Sequence, residues 1–487
     1  MFKRIRKGLG LALAAVVVAG AGLYLAGLRI VLDGGGGPQL RFVRSENSRA
    51  DEIARHRAAQ KAQPPPAPPP APPAPSSSAG LEPPVPVDAS QAVSVPAPPQ
   101  PAASPYWTDF RGPERNGHYR ERPIRTDWST ALTPVWKQPV GGGYASFVAA
   151  GDRAFTIEQR GSQEVVAAYD VATGRESWTN AWSAVFRESM GGDGPRATPT
   201  WHDGRIFALG GAGELRCLDA ATGAVIWRTN ILDDAGAANL QWGMAAAPLV
   251  IDDTVVVLPG GRNGNSVVAY ERATGRRAWS ALDDTQSYSS PMLVTLGGVR
   301  QILVFSASRL MGLTPARGEL LWEFPWTTQY GVNASQPLLL GNGRIFISTG
   351  YGSGAAAIEL TQADGKFSVR ELWRTNRMKN QFTSSLVHDG FIYGLDESIL
   401  ACIDAATGEL KWKGGRYGYG QVMLADGHLI VLTEGGNLAL VRATPEGHAE
   451  LAQFPALEGK TWNHPALSGG FLLVRNINEM AAFDLRR

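Results

Sequence analysis

Cysteine is nearly absent from this chain of 487 residues, which carries only Cys217 and Cys402. Two thiols supply neither a disulfide framework nor a four-thiolate metal site. Of the seven histidines, His202, His388 and His428 stand beside Asp-Gly turns, and none is paired at zinc-ligand spacing. An excess of one charge is lacking too, since 46 Lys+Arg face 44 Asp+Glu for a net charge of +2. With no basic field and no aromatic-basic motif, nucleic acid is excluded as a partner. The glycine clusters Gly350 to Gly354 and Gly210 to Gly213 precede no helical pattern, so the phosphate-loop reading fails on context.

What the chain does have is one phrase written several times. It reads Asp170-Val-Ala-Thr-Gly174-Arg-Glu-Ser-Trp178, Asp219-Ala-Ala-Thr-Gly223-Ala-Val-Ile-Trp227, Glu271-Arg-Ala-Thr-Gly275-Arg-Arg-Ala-Trp279 and Asp404-Ala-Ala-Thr-Gly408-Glu-Leu-Lys-Trp412. Weaker copies end at Trp322 and Trp373, Phe454 takes the next place, and Trp136 precedes them all. The eight positions are separated by 39 to 52 residues, near the period of roughly 40 to 50 residues of propeller blades. The fold class is therefore all-β, an eight-bladed propeller of four-stranded antiparallel blades. Within the phrase Asp accepts hydrogen bonds from its own turn, Gly supplies the positive φ, and Trp opens the outer strand and fills the gap to the neighbouring blade. Trp136, Trp178, Trp227, Trp279, Trp322, Trp373 and Trp412 are accordingly read as blade-docking residues.

A second register marks the inner strands. Small-residue runs lead to tight turns, as in Ala197-Thr-Pro-Thr-Trp201-His-Asp-Gly204 and Ser335-Gln-Pro-Leu-Leu-Leu-Gly-Asn342-Gly. The chain ends on Met480-Ala-Ala-Phe-Asp484, a third strand without its Trp strand, while Thr133-Pro-Val-Trp136 is a Trp strand without its blade. Their pairing is expected to close the ring and remove its open edge. Cys217 and Cys402 then fall in third strands of opposite blades, much farther apart than the 7 Å or so that a disulfide spans, and are expected as buried free thiols.

The first hundred residues have a different character. Residues 1-32 pair a basic start, Lys3-Arg4-Ile-Arg6-Lys7, with the uncharged stretch Gly8 to Leu28, long enough at about 1.5 Å per residue for a hydrocarbon core of roughly 30 Å. One reading is a retained N-in, C-out transmembrane helix in a bacterial inner membrane, with the propeller in the periplasm. The other is a signal peptide cleaved near Ala19-Gly20-Ala21, which leaves a soluble periplasmic protein. Apolar residues beyond that site favour the anchor. Residues 33-105 hold a polar juxtamembrane segment with a short helix over Arg49 to Gln60, then a Pro-rich linker from Gln63 to Pro105. Its composition buries no core and favours disorder and polyproline II. As a tether of roughly 40 residues at about 3.1 Å each, it reaches on the order of 120 Å. The propeller itself occupies residues 106-487.

In such a ring the Asp-Gly and Thr-Gly turns share one face, and the longer, varied loops share the other. Function concentrates in variable loops on a rigid scaffold. The candidates there are Arg187, Glu188, Arg196, Trp242, Tyr288, Asn333, Lys379, Asn380, Trp462, Asn463 and Arg475. They suit a planar anion held by stacking and charge-assisted bonds, or they pair with one another and cap strand ends.

The Asp-x-x-Thr-Gly-x-x-x-Trp repeat resembles the pyrroloquinoline-quinone (PQQ) repeat family. That family includes quinoprotein alcohol and sugar dehydrogenases and the non-catalytic propeller lipoprotein of the outer-membrane β-barrel assembly machinery. The lead-in Trp107-Thr-Asp109-Phe110-Arg111-Gly112-Pro113-Glu-Arg115-Asn-Gly117 is similar to the segment before the ring in many PQQ-like proteins. The resemblance implies either a binding and scaffold platform for envelope proteins, without cofactor or metal, or a PQQ-dependent dehydrogenase. The dehydrogenase reading requires PQQ and Ca²⁺, with Glu188, Asp193, Asp283, Asp284, Asn333 and Glu434 as oxygen donors. The adjacent cysteines common in quinoprotein alcohol dehydrogenases, a Cys-x-x-Cys-His haem motif and long blade insertions are all missing from this sequence. The platform is therefore the expected role, and no catalytic residue is assigned.

Overall fold

The computed structural model describes residues 18, 20, 22–24, 28–32, 37–42, 46–62 and 106–487. From Val148 onward the chain lays down eight sheets in order around an axis, each built on an antiparallel run of strands that follow one another in sequence. Blade 1 runs from Val148–Ala150 to Glu176–Ser183, blade 2 from Thr200–His202 to Val225–Asn230, and blade 3 from Leu249–Ile251 to Arg277–Ala281. Blade 4 spans Met292–Leu296 to Leu320–Pro325, blade 5 Leu338–Gly341 to Lys366–Thr375, and blade 6 Leu386–His388 to Leu410–Arg416. Blade 7 spans Gln421–Ala425 to Glu450–Pro455. In blade 8 the strand Trp136–Pro139 pairs with Glu479–Asp484, Trp136 opposite Ala482. The ring thus closes through its first and last strands, as the sequence requires.

The repeat works as a set of interlocks. Asp170 accepts bonds from the Thr173 backbone N–H at 2.7 Å and the Thr173 hydroxyl at 2.6 Å, which locks the turn before the outer strand. Gly174 (φ 68) and Gly223 (φ 75) have the left-handed backbone that glycine adopts freely. They also make room, because a Cβ on Gly223 would lie 2.5 Å from the indole of Trp178 in the preceding blade. The same approach joins Trp136 to Gly174, Trp227 to Gly275, Trp279 to Gly318 and Trp373 to Gly408. The indole N–H then donates across the seam, from Trp136 to Val171 O (2.8 Å), Trp178 to Ala220 O (3.1 Å), Trp227 to Arg272 O (2.9 Å), Trp373 to Ala405 O (3.2 Å) and Trp412 to Thr444 O (2.8 Å).

The third strand faces each of these rings with a small residue. Ala168, Cys217, Ala269, Ala357, Cys402 and Ala482 stand opposite Trp178, Trp227, Trp279, Trp373, Trp412 and Trp136. The two cysteines are buried free thiols, and burial raises both. Trp322 keeps its place in the apolar cluster between blades 4 and 5, with Ile345, Ile347, Ala356 and Ile358, but its indole N–H is satisfied within its own blade. Glycine stands opposite it at Gly312, and without a Cβ there the indole folds back over its own blade and donates to Gln301.

Before the ring, Leu28–Leu32 pairs with Pro38–Phe42 and a helix covers Glu46–Ala62. Strand therefore replaces the expected end of the anchor over residues 28–32. Residues 1–17, 19, 21 and 25–27 of the expected anchor and the Pro-rich stretch 63–105 lie outside the described residues. No helix of the described residues is long and apolar enough to cross a membrane.

Candidate functional site

The lead-in crosses the ring axis and closes it from the side of the Asp-Gly turns. Trp107 O accepts from Ala149 N in blade 1, and Thr108 O from Trp201 N in blade 2. Arg115 donates to Pro248 O, to Pro291 O at 2.8 Å and to Asp109 Oδ1 at 2.9 Å, which gathers the inner ends of blades 3 and 4. Arg111 donates to Ser385 O at 3.0 Å beside blade 6, and burial lowers its pKa to about 9. His118–Tyr119 adds a parallel strand to Gln421–Ala425 of blade 7. Trp107 (φ 67), Arg111 (φ 65) and Arg115 (φ 54) all have left-handed backbones, a strain held by these contacts from several blades.

Above this plug, on the variable face, lies an axial well of ≈ 720 Å³. Phe110 and His464 lie against each other on its lining, with ring centroids 5.9 Å apart. Burial, reinforced by Arg111, lowers His464 to about 3, so this imidazole is neutral. Nine aromatic rings line the well: Phe110, Tyr144, Trp242, Tyr288, Tyr330, Tyr351, Phe382, Tyr419 and Trp462. They lean on one another, Phe382 on Trp462 at 4.5 Å, Tyr144 on Trp462 at 5.2 Å, Trp242 on Tyr288 and Tyr330 on Tyr351 at 5.6 Å. Gln241, Gln381, Gln421 and Glu397 add polar groups. Burial raises the Tyr288 hydroxyl to about 12 and pushes Tyr144 up as well, so both phenols remain neutral hydrogen-bonding groups.

Of the residues read from sequence, the structure brings Arg196, Trp242, Tyr288 and Trp462 together in this well. Arg196 donates to Gly192 O (2.7 Å) and Gly194 O (2.6 Å) and lies over the Phe186 ring at 4.8 Å. Its charge is thus largely committed to its own loop. The remaining candidates are placed elsewhere. Arg187 is exposed, and Glu188 caps the backbone N–H groups of Met190 and Gly191. Asn333 donates to Ser306 O (2.7 Å), Asn380 to Leu395 O (2.9 Å) and Asn463 to Ala145 O (2.9 Å), all from buried positions. Lys379 and Lys413 share the buried carboxylate of Asp396 at 2.8 and 2.7 Å. Burial pushes Asp396 up, yet the bonds from the two ammonium groups hold it below the ordinary carboxylate range. Arg475, fully buried, donates to Gly141 O (2.8 Å) and the Thr156 hydroxyl (2.7 Å), joining blade 8 to blade 1.

The candidate oxygen donors are likewise engaged by other groups of the protein. Asp284 pairs with Arg309 at 2.6 Å, Asp283 accepts from Gly264 N, Asp193 from Glu188 N, and Glu434 from the Trp462 indole at 3.0 Å. Among the described residues no three His, Cys, Asp or Glu side chains gather as metal ligands. The candidates read from sequence left out six of the nine rings: Phe110, Tyr144, Tyr330, Tyr351, Phe382 and Tyr419. Phe110 sits outside the repeat, so no blade register marks it; Tyr144 follows Gly141-Gly-Gly143, where it stands just ahead of the first inner strand.

Comparison with known proteins adds a family to this geometry. A family profile described as "Outer membrane protein assembly factor BamB" matches residues 162–414. The chain belongs to the BamB family. BamB of Burkholderia pseudomallei (strain K96243) is 26% identical over 352 residues, 67% of this chain and 84% of that protein. BamB of Yersinia pestis is 22% identical over 316 residues, 61% and 75% of the two chains. Among solved structures, BamB from Moraxella catarrhalis matches with a TM-score of 0.50 at 14% identity, covering 74% of this chain and 99% of that one. The quinohemoprotein alcohol dehydrogenase of Comamonas testosteroni matches at 0.57 and 13% identity, covering 78% and 81%. At that identity both likenesses show the shared propeller alone.

Proposed function

We propose that this BamB-family chain is a non-catalytic scaffold of the bacterial envelope that holds a protein partner through the axial well and its surrounding loops. The observation that carries the reading is the lining of the well. It offers nine aromatic rings, amide groups and neutral phenols, with one cation that its own loop already binds. Trp, Tyr and Arg are the side chains that dominate protein interface energetics, and a concave aromatic site takes apolar side chains of a partner. The well is a poor match for a planar anion, because Arg187, Lys379 and Arg475 lie outside its lining. No cofactor or metal is part of this reading. Retention in the inner membrane, with the ring in the periplasm, rests on the basic start and the uncharged Gly8 to Leu28. The names of the curated relatives, outer membrane protein assembly factors, point to partners among envelope proteins.

The test is capture of partners from envelope extracts by the intact chain and by Trp242→Ala with Trp462→Ala. A specific protein retained by the first and lost from the second supports the scaffold. Stoichiometric binding of added PQQ with Ca²⁺, together with dye reduction by alcohols or sugars, overturns it in favour of a dehydrogenase.

A further inference from the structure

The helix Glu46–Ala62 is strongly polar, yet Ile53 is 1% exposed and Arg49 and Arg57 are each 5% exposed. It is held by the ring at both ends. Toward its C-terminus Arg57 donates to Gln138 Oε1 (2.7 Å) and Pro139 O (3.0 Å), faces Glu176 at 3.3 Å and lies over the Tyr169 ring. Gln60 donates to the same Gln138 oxygen at 2.7 Å, and Gln138 donates onward to Gly174 O at 2.6 Å. These contacts span the seam between blade 8, which supplies Gln138, and blade 1, which supplies Tyr169, Gly174 and Glu176. Toward its N-terminus, the Ala50 Cβ lies 3.7 Å from where a Cβ on Gly161 would stand. Gly161 turns the second strand of blade 1 into the third, which places it on the well-bearing face. Arg49 is one of the charges acting on Tyr144, a residue of the well lining.

The chain before the helix leaves little slack. Leu28 pairs with Phe42, and three residues separate Phe42 from Glu46. At 3.8 Å per Cα step and about 5 Å across the strand pair, Leu28 stays within roughly 20 Å of Glu46. Residues 63–105 start and finish on the ring, at Ala62 and Tyr106, so their length does not set the distance of the ring from the N-terminal stretch.

We propose that the helix Glu46–Ala62 is a strap that turns the well-bearing face toward the membrane holding the N-terminal stretch, so that the well engages a protein of that same membrane. The inference rests on the anchored reading given above. It replaces a tether on the order of 120 Å with a link about six times shorter.

The test uses the full-length chain in native-composition liposomes. Ala50→Cys with Gly161→Cys has a Cβ separation of 3.7 Å, inside the disulfide range of about 3.5–4.5 Å. Mild oxidation should link the N-terminal fragment to the ring after cutting at a protease site inserted at residues 76–80, and Arg57→Glu should lower the yield at least tenfold. A membrane-held chain that does not cross-link, with both single-cysteine chains folded, overturns the strap while the anchored reading stands. A cross-linked chain that alkaline carbonate releases overturns the anchored reading and, with it, the membrane-proximal partner. For orientation, a fluorophore on Tyr330→Cys at the well should be quenched by headgroup spin-labelled lipid several-fold more than one on Asp364→Cys, at an opposite-face turn. Equal quenching overturns the orientation.

Discussion

The two faces of the ring follow different rules. On the face of the Thr-Gly turns each repeat satisfies its own polar groups, as Asp170 and Asp219 do with Thr173 and Thr222, and then receives the indole of the blade before it. That design is short-ranged and tolerates copying. On the opposite face each blade contributes a loop of its own length, and nine aromatic side chains meet in the well with few polar ties between them. The first face thus repeats one interlock, whereas the second differs from blade to blade, as loops on a rigid scaffold do.

The largest effect that would break this contrast is expected at the interlock. Gly223→Val forces a β-branched residue to φ 75 against the Trp178 ring and should lower stability by at least about 4 kcal/mol. Gly447→Val has nothing within 4 Å and should cost under about 1 kcal/mol, with urea midpoints of the two compared directly. Next comes the closing seam, where Arg475→Met removes the donor to Gly141 O and to the Thr156 hydroxyl and takes away a cation near the buried Glu158. A loss of about 3 kcal/mol is expected; an unchanged midpoint would show that Trp136 alone closes the ring.

Acid sharpens the contrast further. Asp396 has a folded pKa below its ordinary value, so its contribution is complete above the unfolded pKa of about 3.9 and fades as pH falls through the lower folded value. Stability followed from pH 6 to pH 2 should therefore decline less steeply in Asp396→Asn than in the native chain, with the difference confined to the region below about pH 4. The smallest stability change is expected in the well itself. Trp242→Ala should cost less than about 1 kcal/mol of stability and still weaken partner capture at least about tenfold, measured on the same preparation.

Much of this architecture is legible in the order of residues. Blade number, the closing pair of Trp136 with the last strand, and the separation of Cys217 from Cys402 all follow from spacing. The cysteines carry a further signal that was readable, for each occupies the small-residue position opposite a docking Trp, where other blades place Ala. Trp322 shows the limit of the repeat, because the partner of its indole N–H depends on Gly312 across the strand pair, outside the phrase itself. Asn333, Asn380 and Arg475 looked like ligand groups because polar loop residues have the same composition whether they face a ligand or a carbonyl.

Repeat number, turn chemistry and inner or outer strand identity were written in the chain, because hairpin geometry acts over a few residues and recurs at a fixed period. The axial well, its plugging by Phe110 and the seating of the helix Glu46–Ala62 on the closing seam were decided only by tertiary structure. Each depends on which loop ends converge once eight twisted sheets have closed around an axis, and that convergence joins residues hundreds of positions apart with no periodic signal to announce it.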